Sequence, residues 1–271
     1  MKAIILAAGS GTRLDKYTKN LPKCMLDLDG KTLLERQIET LRSAGIEEII
    51  VVKGYMAEKI HIPDVKYYIN NDYSTTNMVE TLFKAEKELN DEILVCYADI
   101  LYDKKIIEKI IGTDFDIGVT VDNDYWDYWT ARLENPKEDI ESLVIKDGKI
   151  VDLGDTNCSI EKAKVRYVGL IKFSHKGVEI LKKVYHKNKE KYYESDKPWM
   201  RSKSFKKAYM TCMLQAIIDE GYVVNPIIIS RGWLEFDTNE DYEKVNEWSK
   251  SGILKNRFKI NIKQIKNIIQ N

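Results

Sequence analysis

Near the start of the chain, Leu6-Ala7-Ala8-Gly9-Ser10-Gly11-Thr12-Arg13-Leu14 leaves an apolar run through two alanines and two glycines. Such small residues let the backbone approach a ligand closely and aim N–H groups at an anion. A basic series follows, Arg13, Lys16, Lys19 and then Pro22-Lys23, setting a guanidinium and an ammonium where both can converge on a polyphosphate. The chemistry suggested is phosphate binding by Leu6, Ala7, Ala8, Gly9 and Gly11, with Arg13 and Lys23 neutralising charge. The loop is not a dinucleotide fingerprint: Leu14 stands where a third glycine or alanine belongs, and the second apolar run ends in Val52-Lys53-Gly54 without a ribose-binding acid. It is not a Walker loop either, since no Gly-Lys-Ser/Thr follows. The bland alternative is a tight turn leading into a solvated basic loop.

Two carboxylates stand out further along. Asp99 follows the apolar ILVCYA, which places it at the carboxyl end of a strand, where open α/β sheets hold their ligands. Asp237 closes GWLEFD ahead of a helix, and its local sequence reads as well for a helix cap as for a ligand. Glu235 lies one strand repeat away on the same face. Asn77 opens a helix after Ser74-Thr75-Thr76, again a capping position. The densest aromatic segment is VDNDYWDYWTAR, where Tyr125, Trp126, Tyr128 and Trp129 interleave with three aspartates. It reads as a cage for a cationic ligand, with Trp126 and Trp129 supplying faces and Arg132 or Arg166 meeting a phosphate. The competing expectation is that two of the four aromatics are core.

The elements that must position these residues alternate between two hydrophobic periods. Strands are expected at Lys2 to Leu6, within Ile46 to Tyr55, around Val65 to Ile69, and at Glu92 to Tyr97, Asp116 to Val121, Arg166 to Phe173 and Tyr222 to Ser230. Helices are expected at Thr32 to Ala44, Asn77 to Leu89, Lys104 to Ile111 and Tyr209 to Glu220. Strand-helix alternation implies an α/β fold with an open, mostly parallel sheet. SLVIKDGKIVDLG reads as a β-hairpin insertion, and the polar stretch Lys187 to Lys207 as a mobile loop or lid.

Composition bounds the rest. A chain of 271 residues suits one elaborated domain. Lys+Arg and Asp+Glu both number 43, so there is no net charge to favour nucleic acid as a partner. No apolar run is long enough for a membrane span or a signal sequence, and cytoplasmic localisation is expected. The four cysteines and three histidines show no disulfide or zinc spacing. From Lys250 onward there are six basic residues and no acid, with Phe258, Ile262, Ile265 and Ile269 at helical spacing. Residues 251–271 therefore read as a basic amphipathic tail that docks on its own domain or on a second subunit, leaving a homodimer open, rather than inserting stably in a membrane.

LAAGSGTRL followed by LPKCML resembles the signature of the sugar-phosphate nucleotidyltransferase superfamily, LAAGxGTR followed by PK. The resemblance extends through AGIEEIIVVKGY, TNMVETL, the strand ending at Asp99 and WLEFDTNEDY, and stops near Lys250. Within the superfamily the chain is most similar to small cytidylyltransferases of the phosphocholine type and to relatives acting on aminoethylphosphonate or phosphoglutamine; WTARLENPKEDIESL resembles the last of these. The resemblance implies a Rossmann-like sheet flanked by helices in one nucleotidyltransferase domain over residues 1–250, with an acceptor-side insertion at about 122–207. It implies CTP and a small phosphorylated or phosphonate acceptor as partners, CMP transfer with release of pyrophosphate, and a product used to decorate a surface polysaccharide or lipid. It further implies Mg²⁺ held by Asp99 and Asp237 with Glu235 in reserve, Lys23 at the α-phosphate, Arg13 at the β- and γ-phosphates, and Asn77 at the cytosine edge. Two alternatives remain: a sugar-1-phosphate nucleotidyltransferase, for which a longer chain with polar sugar-contacting loops is expected, and a catalytically silent nucleotide-binding regulator.

Overall fold

The computed structural model describes residues 1–262. Its centre is a seven-stranded sheet made of β1 (Lys2–Ala7), β2 (Ile49–Lys53), β3 (Lys66–Ile69), β4 (Ile93–Tyr97), β6 (Ile117–Asp122), β9 (Arg166–Phe173) and β10 (Asn225–Ile229), in the order β10-β6-β9-β4-β1-β2-β3. Only β9 runs antiparallel to its neighbours, β4 and β6. The continuous apolar runs of β1, β2 and β4 suit strands buried on both faces, and alternate residues enter two separate cores: Ala3, Ile5 and Ala7 on one side, Ile4 and Leu6 on the other.

The helices begin and end where local chemistry dictates. In α1 (Leu33–Ser43), the Thr32 side chain accepts from Glu35 N while the Glu35 carboxylate accepts from Thr32 N, a reciprocal cap. α3 (Lys104–Ile111) is capped by Asp103 and ends at Gly112. Between them α2 (Met78–Phe83) is shorter than the expected Asn77 to Leu89: Lys84 and Ala85 leave the helix, and a single turn of 3-10 helix covers Glu86–Glu88.

A minor ribbon matters more to the site than any major strand. β5 (Ile100–Tyr102) pairs antiparallel with β11 (Trp233–Glu235), Ile100 facing Glu235, and Phe236 N donates to Asp99 O at 2.9 Å. This pairing closes a gap of well over a hundred residues in sequence and seats the ends of two strands side by side. α4 (Trp126–Arg132) packs behind β11, with the Tyr128 hydroxyl accepting from Glu235 N at 2.9 Å.

The hairpin forms as expected. β7 (Leu143–Lys146) and β8 (Lys149–Leu153) are joined through Asp147 and Gly148, whose φ angles of 50° and 73° fit the two-residue turn that follows strand twist. The polar stretch Lys187 to Lys207 departs from the expected lid. α5 (His175–Tyr192) covers its beginning, and the remainder is pinned by Trp199 and Phe205, both buried and 4.8 Å apart edge to face. Its polarity reflects a solvated outer side over an apolar anchor.

After α6 (Met210–Asp219) and β10, α7 (Asn239–Ser251) stops at Gly252, which has a φ of 78°. The tail is therefore not one continuous helix. A turn at Ile253–Asn256 is followed by Phe258 and Ile260 buried in the core, and Ile262 O accepts from Arg36 at 2.7 Å. Ile265 and Ile269 lie outside the described residues. Among the described residues no helix is long and apolar enough to cross a membrane.

Candidate active site

The loop leaving β1 does what its small residues allow. Gly11 adopts a φ of 62°, and a Cβ there would come within 3.1 Å of Lys23 Cβ, so the glycine lets the Lys23 stem pass against the loop. Pro22 precedes the single 3-10 turn Lys23–Met25 that fixes the lysine. Leu6, Ala7, Ala8, Gly9, Gly11, Arg13, Lys23, Asn77, Asp99 and Asp237 together line a cavity of about 350 Å³. Asn77 also caps α2, its side chain accepting from Met78 N at 2.9 Å, so the two expectations for this residue are compatible.

Lys23 is the electrostatic centre. Its Nζ lies 2.8 Å from Asp99 Oδ2 and 2.9 Å from Asp237 Oδ1, and Arg13 reaches the same Asp237 oxygen at 3.0 Å. Burial alone would lower the pKa of Lys23, but the charges of Asp99 and Asp237 raise it, so the ammonium keeps its proton. Asp237 shows the converse: burial pushes its carboxyl up, and Lys23 with Arg13 and Arg132 hold it well below the usual carboxylate range. Arg13 is the exposed member, its side chain 67% accessible where it lines the cavity. Asp237 does not cap α7; Thr238 does, with Asp241 in the reciprocal position. The carboxylate of Asp237 is thereby left to the cavity cations Lys23 and Arg13.

A second, larger cavity of about 690 Å³ adjoins the first and shares Arg13, Asn77, Met78, Tyr97 and Asp237 with it. Arg166 and Glu235 line it. Burial and the neighbouring Asp237 charge push Glu235 up, against Arg132 and Arg166.

Over residues 3–151, from β1 through the hairpin, the sequence matches the MobA-like NTP transferase domain. The chain belongs to that family. It is a nucleotidyltransferase chain that is also 34% identical to the CTP:phosphoglutamine cytidylyltransferase of Campylobacter jejuni, over 90% of this chain and 98% of that one. Among solved structures, the CTP:phosphocholine cytidylyltransferase of Streptococcus pneumoniae superposes with a TM-score of 0.63 at 25% identity, covering 91% of this chain and 97% of that one. The inositol-1-phosphate CTP transferase of T. maritima superposes with a TM-score of 0.68 at 20% identity, covering 94% and 96%, and shows that the fold is shared.

On the acceptor side of this NTP transferase domain the expected cage does not form. Tyr125, Tyr128 and Trp129 are core residues, and Trp126, 37% exposed, lines neither cavity. Apolar burial outweighs ligand display for three of the four rings. Trp129 acts indirectly: Arg166 lies over its ring at 4.2 Å and Arg132 at 4.6 Å. Arg132 is likewise no acceptor contact. It is 3% exposed, with Nε 2.7 Å and Nη2 2.8 Å from the two oxygens of Asp241, Nη1 3.0 Å from Glu235 and Nη2 3.4 Å from Asp237. A fork with this many fixed partners orients carboxylates rather than awaiting a ligand.

Sequence reasoning passed over Asp241, Glu141, Arg201 and Lys203. Asp241 had a signal, the Thr-x-x-Asp cap at Thr238. Glu141 falls within the WTARLENPKEDIESL segment, and Arg201 and Lys203 line the larger cavity from a turn and a loop with no motif around them.

Proposed function

We propose that this chain transfers CMP from CTP to a small phosphorylated or phosphonate headgroup and releases pyrophosphate. The observation that carries the reading is the convergence of Asp99, Asp237 and Arg13 around Lys23 at the junction of a loop-lined cavity and a second, larger one. The nearly full-length similarity to a cytidylyltransferase supports the choice of nucleotide.

On this reading, triphosphate oxygens lie against the N–H groups of the Leu6–Gly11 loop, with the base toward Asn77. An oxygen of the acceptor phosphate attacks the α-phosphorus in line; a new P–O bond forms, the bond from the α-phosphorus to the α,β-bridging oxygen breaks, and pyrophosphate departs with that electron pair. No general base is needed, because a phosphate monoester with a second pKa of about 6 is mostly ionised at neutral pH. The difficulty is bringing anions together, so the work is electrostatic. Lys23 turns from the aspartates to the α-phosphate, and Arg13 follows the leaving group.

Asp99 and Asp237 fit Mg²⁺: both place hard oxygens against one cationic point, now Lys23 Nζ, and substrate phosphates would complete the shell. The ion would supply charge neutralisation between donor and acceptor oxygens. Arg166 is the pocket cation suited to the acceptor phosphate, held flat on Trp129. A CTP donor supports a cytoplasmic reaction, and an activated headgroup suits transfer to a surface polysaccharide or lipid.

The test is pyrophosphate release with Mg²⁺, pairing four nucleoside triphosphates with phosphocholine, aminoethylphosphonate, phosphoglutamine and several sugar-1-phosphates. The reading requires release with CTP and a headgroup, abolished in Asp99→Asn. Release with sugar-1-phosphates alone would replace it with nucleotide-sugar synthesis.

A further inference from the structure

One buried row of α1 is apolar except at a single position. Leu33, Gln37 and Leu41 stand one turn apart on the same face, and all three are buried, Gln37 to 1% exposure. An amide in such a row costs free energy unless it is hydrogen-bonded. Both donors of the Gln37 nitrogen are used: Nε2 donates to Tyr97 O at 3.1 Å and to Ile100 O at 2.6 Å. Those carbonyls belong to the last residue of β4 and the first of β5, so one nitrogen joins the two ends of the turn formed by Ala98 and Asp99. Gln37 Oε1 is buried with no hydrogen-bond partner among the described residues, which leaves the nitrogen as the group this position uses. From β11, Phe236 N donates to Asp99 O at 2.9 Å. The backbone around Asp99 is thus held by two elements far apart in sequence, while its carboxylate faces Lys23 Nζ at 2.8 Å in the cavity. Gln37 itself lines neither cavity.

Packing alone does not ask for glutamine here. A methionine of similar size would fill the row without burying an unpaired oxygen. What it could not do is tie the two strand ends together, and an aspartate has too short a side chain to recover its aim when the turn beneath it shifts. We propose that Gln37 is a positioning residue for Asp99: from α1, touching neither substrate nor metal, its amide nitrogen clamps the Ala98–Asp99 turn and so holds the carboxylate in place for a divalent ion. This rests on the metal role proposed above for Asp99. Groups that orient a metal-binding side chain from behind contribute about ten- to a hundredfold to metal affinity.

The test is calorimetric titration of the full chain with two probes, metal-free CTP and the Mn²⁺ complex of CTP, with thermal unfolding followed in parallel. Gln37→Met should weaken the Mn²⁺ complex about tenfold and leave metal-free CTP within about twofold of wild type. Gln37→Asn, one methylene shorter and still an amide, should show the same split by a smaller factor, and it carries the test if the methionine variant does not fold. Ile38→Val loosens the neighbouring position of α1 and should leave both affinities unchanged. Loss of both probes alike in the Gln37 variants, no loss of either, or a matching split in Ile38→Val would overturn the proposal, and the metal role of Asp99 would still stand if Asp99→Asn loses the Mn²⁺ complex selectively. Asp99→Asn binding the Mn²⁺ complex as tightly as wild type would instead remove that metal role, and the proposal with it.

Discussion

The two halves of the cavity are built on opposite electrostatic plans. On the nucleotide side every charge is already paired: Asp237 alone receives Lys23, Arg13 and Arg132. In the larger cavity Arg166 pairs with Asp139 and Arg201 with Asp152, and burial pushes the Glu141 carboxyl up. On the proposed function, the first half is a preorganised cradle in which a polyphosphate would exchange one set of ion pairs for another, leaving little reorganisation for the chemical step. On the same proposal the second receives the acceptor, which would make it a place of choice rather than of rate. Rate and selectivity would then be separable, with Asp237 lining both cavities.

That separation can be broken most severely from the nucleotide side. Asp237→Asn or Asp99→Asn should lower kcat by about a thousandfold or more, the scale of losing a preorganised charge at a reacting phosphate, while metal-free CTP binding measured by calorimetry persists. Equal loss of CTP binding would mean that the carboxylates hold the nucleotide instead.

Next is the hinge between the halves. Arg132→Met leaves Asp241, Glu235 and Asp237 without their shared partner, and removing one member of a buried charged network costs about 3–5 kcal/mol. Thermal unfolding should fall by roughly 10 °C at neutral pH. Asp237 titrates below its unfolded value, so its stabilising pairing is present above about pH 4 and is lost as the pH drops further. The gap between variant and wild type should therefore narrow in acid. A gap that does not change with pH would point to packing of the guanidinium over the Trp129 ring instead.

A smaller and opposite effect is expected on the acceptor side. The pKa of Glu141 is raised in the folded state, so its ionisation opposes folding once the pH rises above the unfolded value. Glu141→Gln should melt at a slightly higher temperature than wild type near pH 8, an advantage that disappears near pH 4. The smallest effect belongs to Trp126→Ala, within about 0.5 kcal/mol of wild type in stability and unchanged in acceptor order, since the ring is exposed and outside both cavities.

The same contrast explains how much could be read in the chain. Leu6 through Lys23 is contiguous, and glycines, a proline and cations at fixed spacing announce a loop whose geometry is local. The strand ending at Asp99 was legible from its apolar run, and the β9 strand was placed to the residue. That β9 runs antiparallel, and that β5 and β11 pair to bring Asp99 beside Asp237, are long-range facts that periodicity does not encode. The aromatic segment at Asp122–Trp129 misleads for a physical reason: four rings and three acids look alike whether the rings face a ligand or the core, and burial of Tyr128 and Trp129 against Trp233 and Phe258 decides it. Lys187 to Lys207 misleads likewise, its two anchors Trp199 and Phe205 being outnumbered by solvated residues.

The most direct test of the central claim follows the label. CTP carrying phosphorus-32 at either the α- or the γ-position is incubated with Mg²⁺, phosphoglutamine and the intact chain, and the products are separated. Transfer of CMP predicts α-label in a cytidine conjugate of the acceptor and γ-label only in pyrophosphate, with both lost in Asp237→Asn. Label from the γ-position on the acceptor, or α-label recovered only as free CMP, would contradict it.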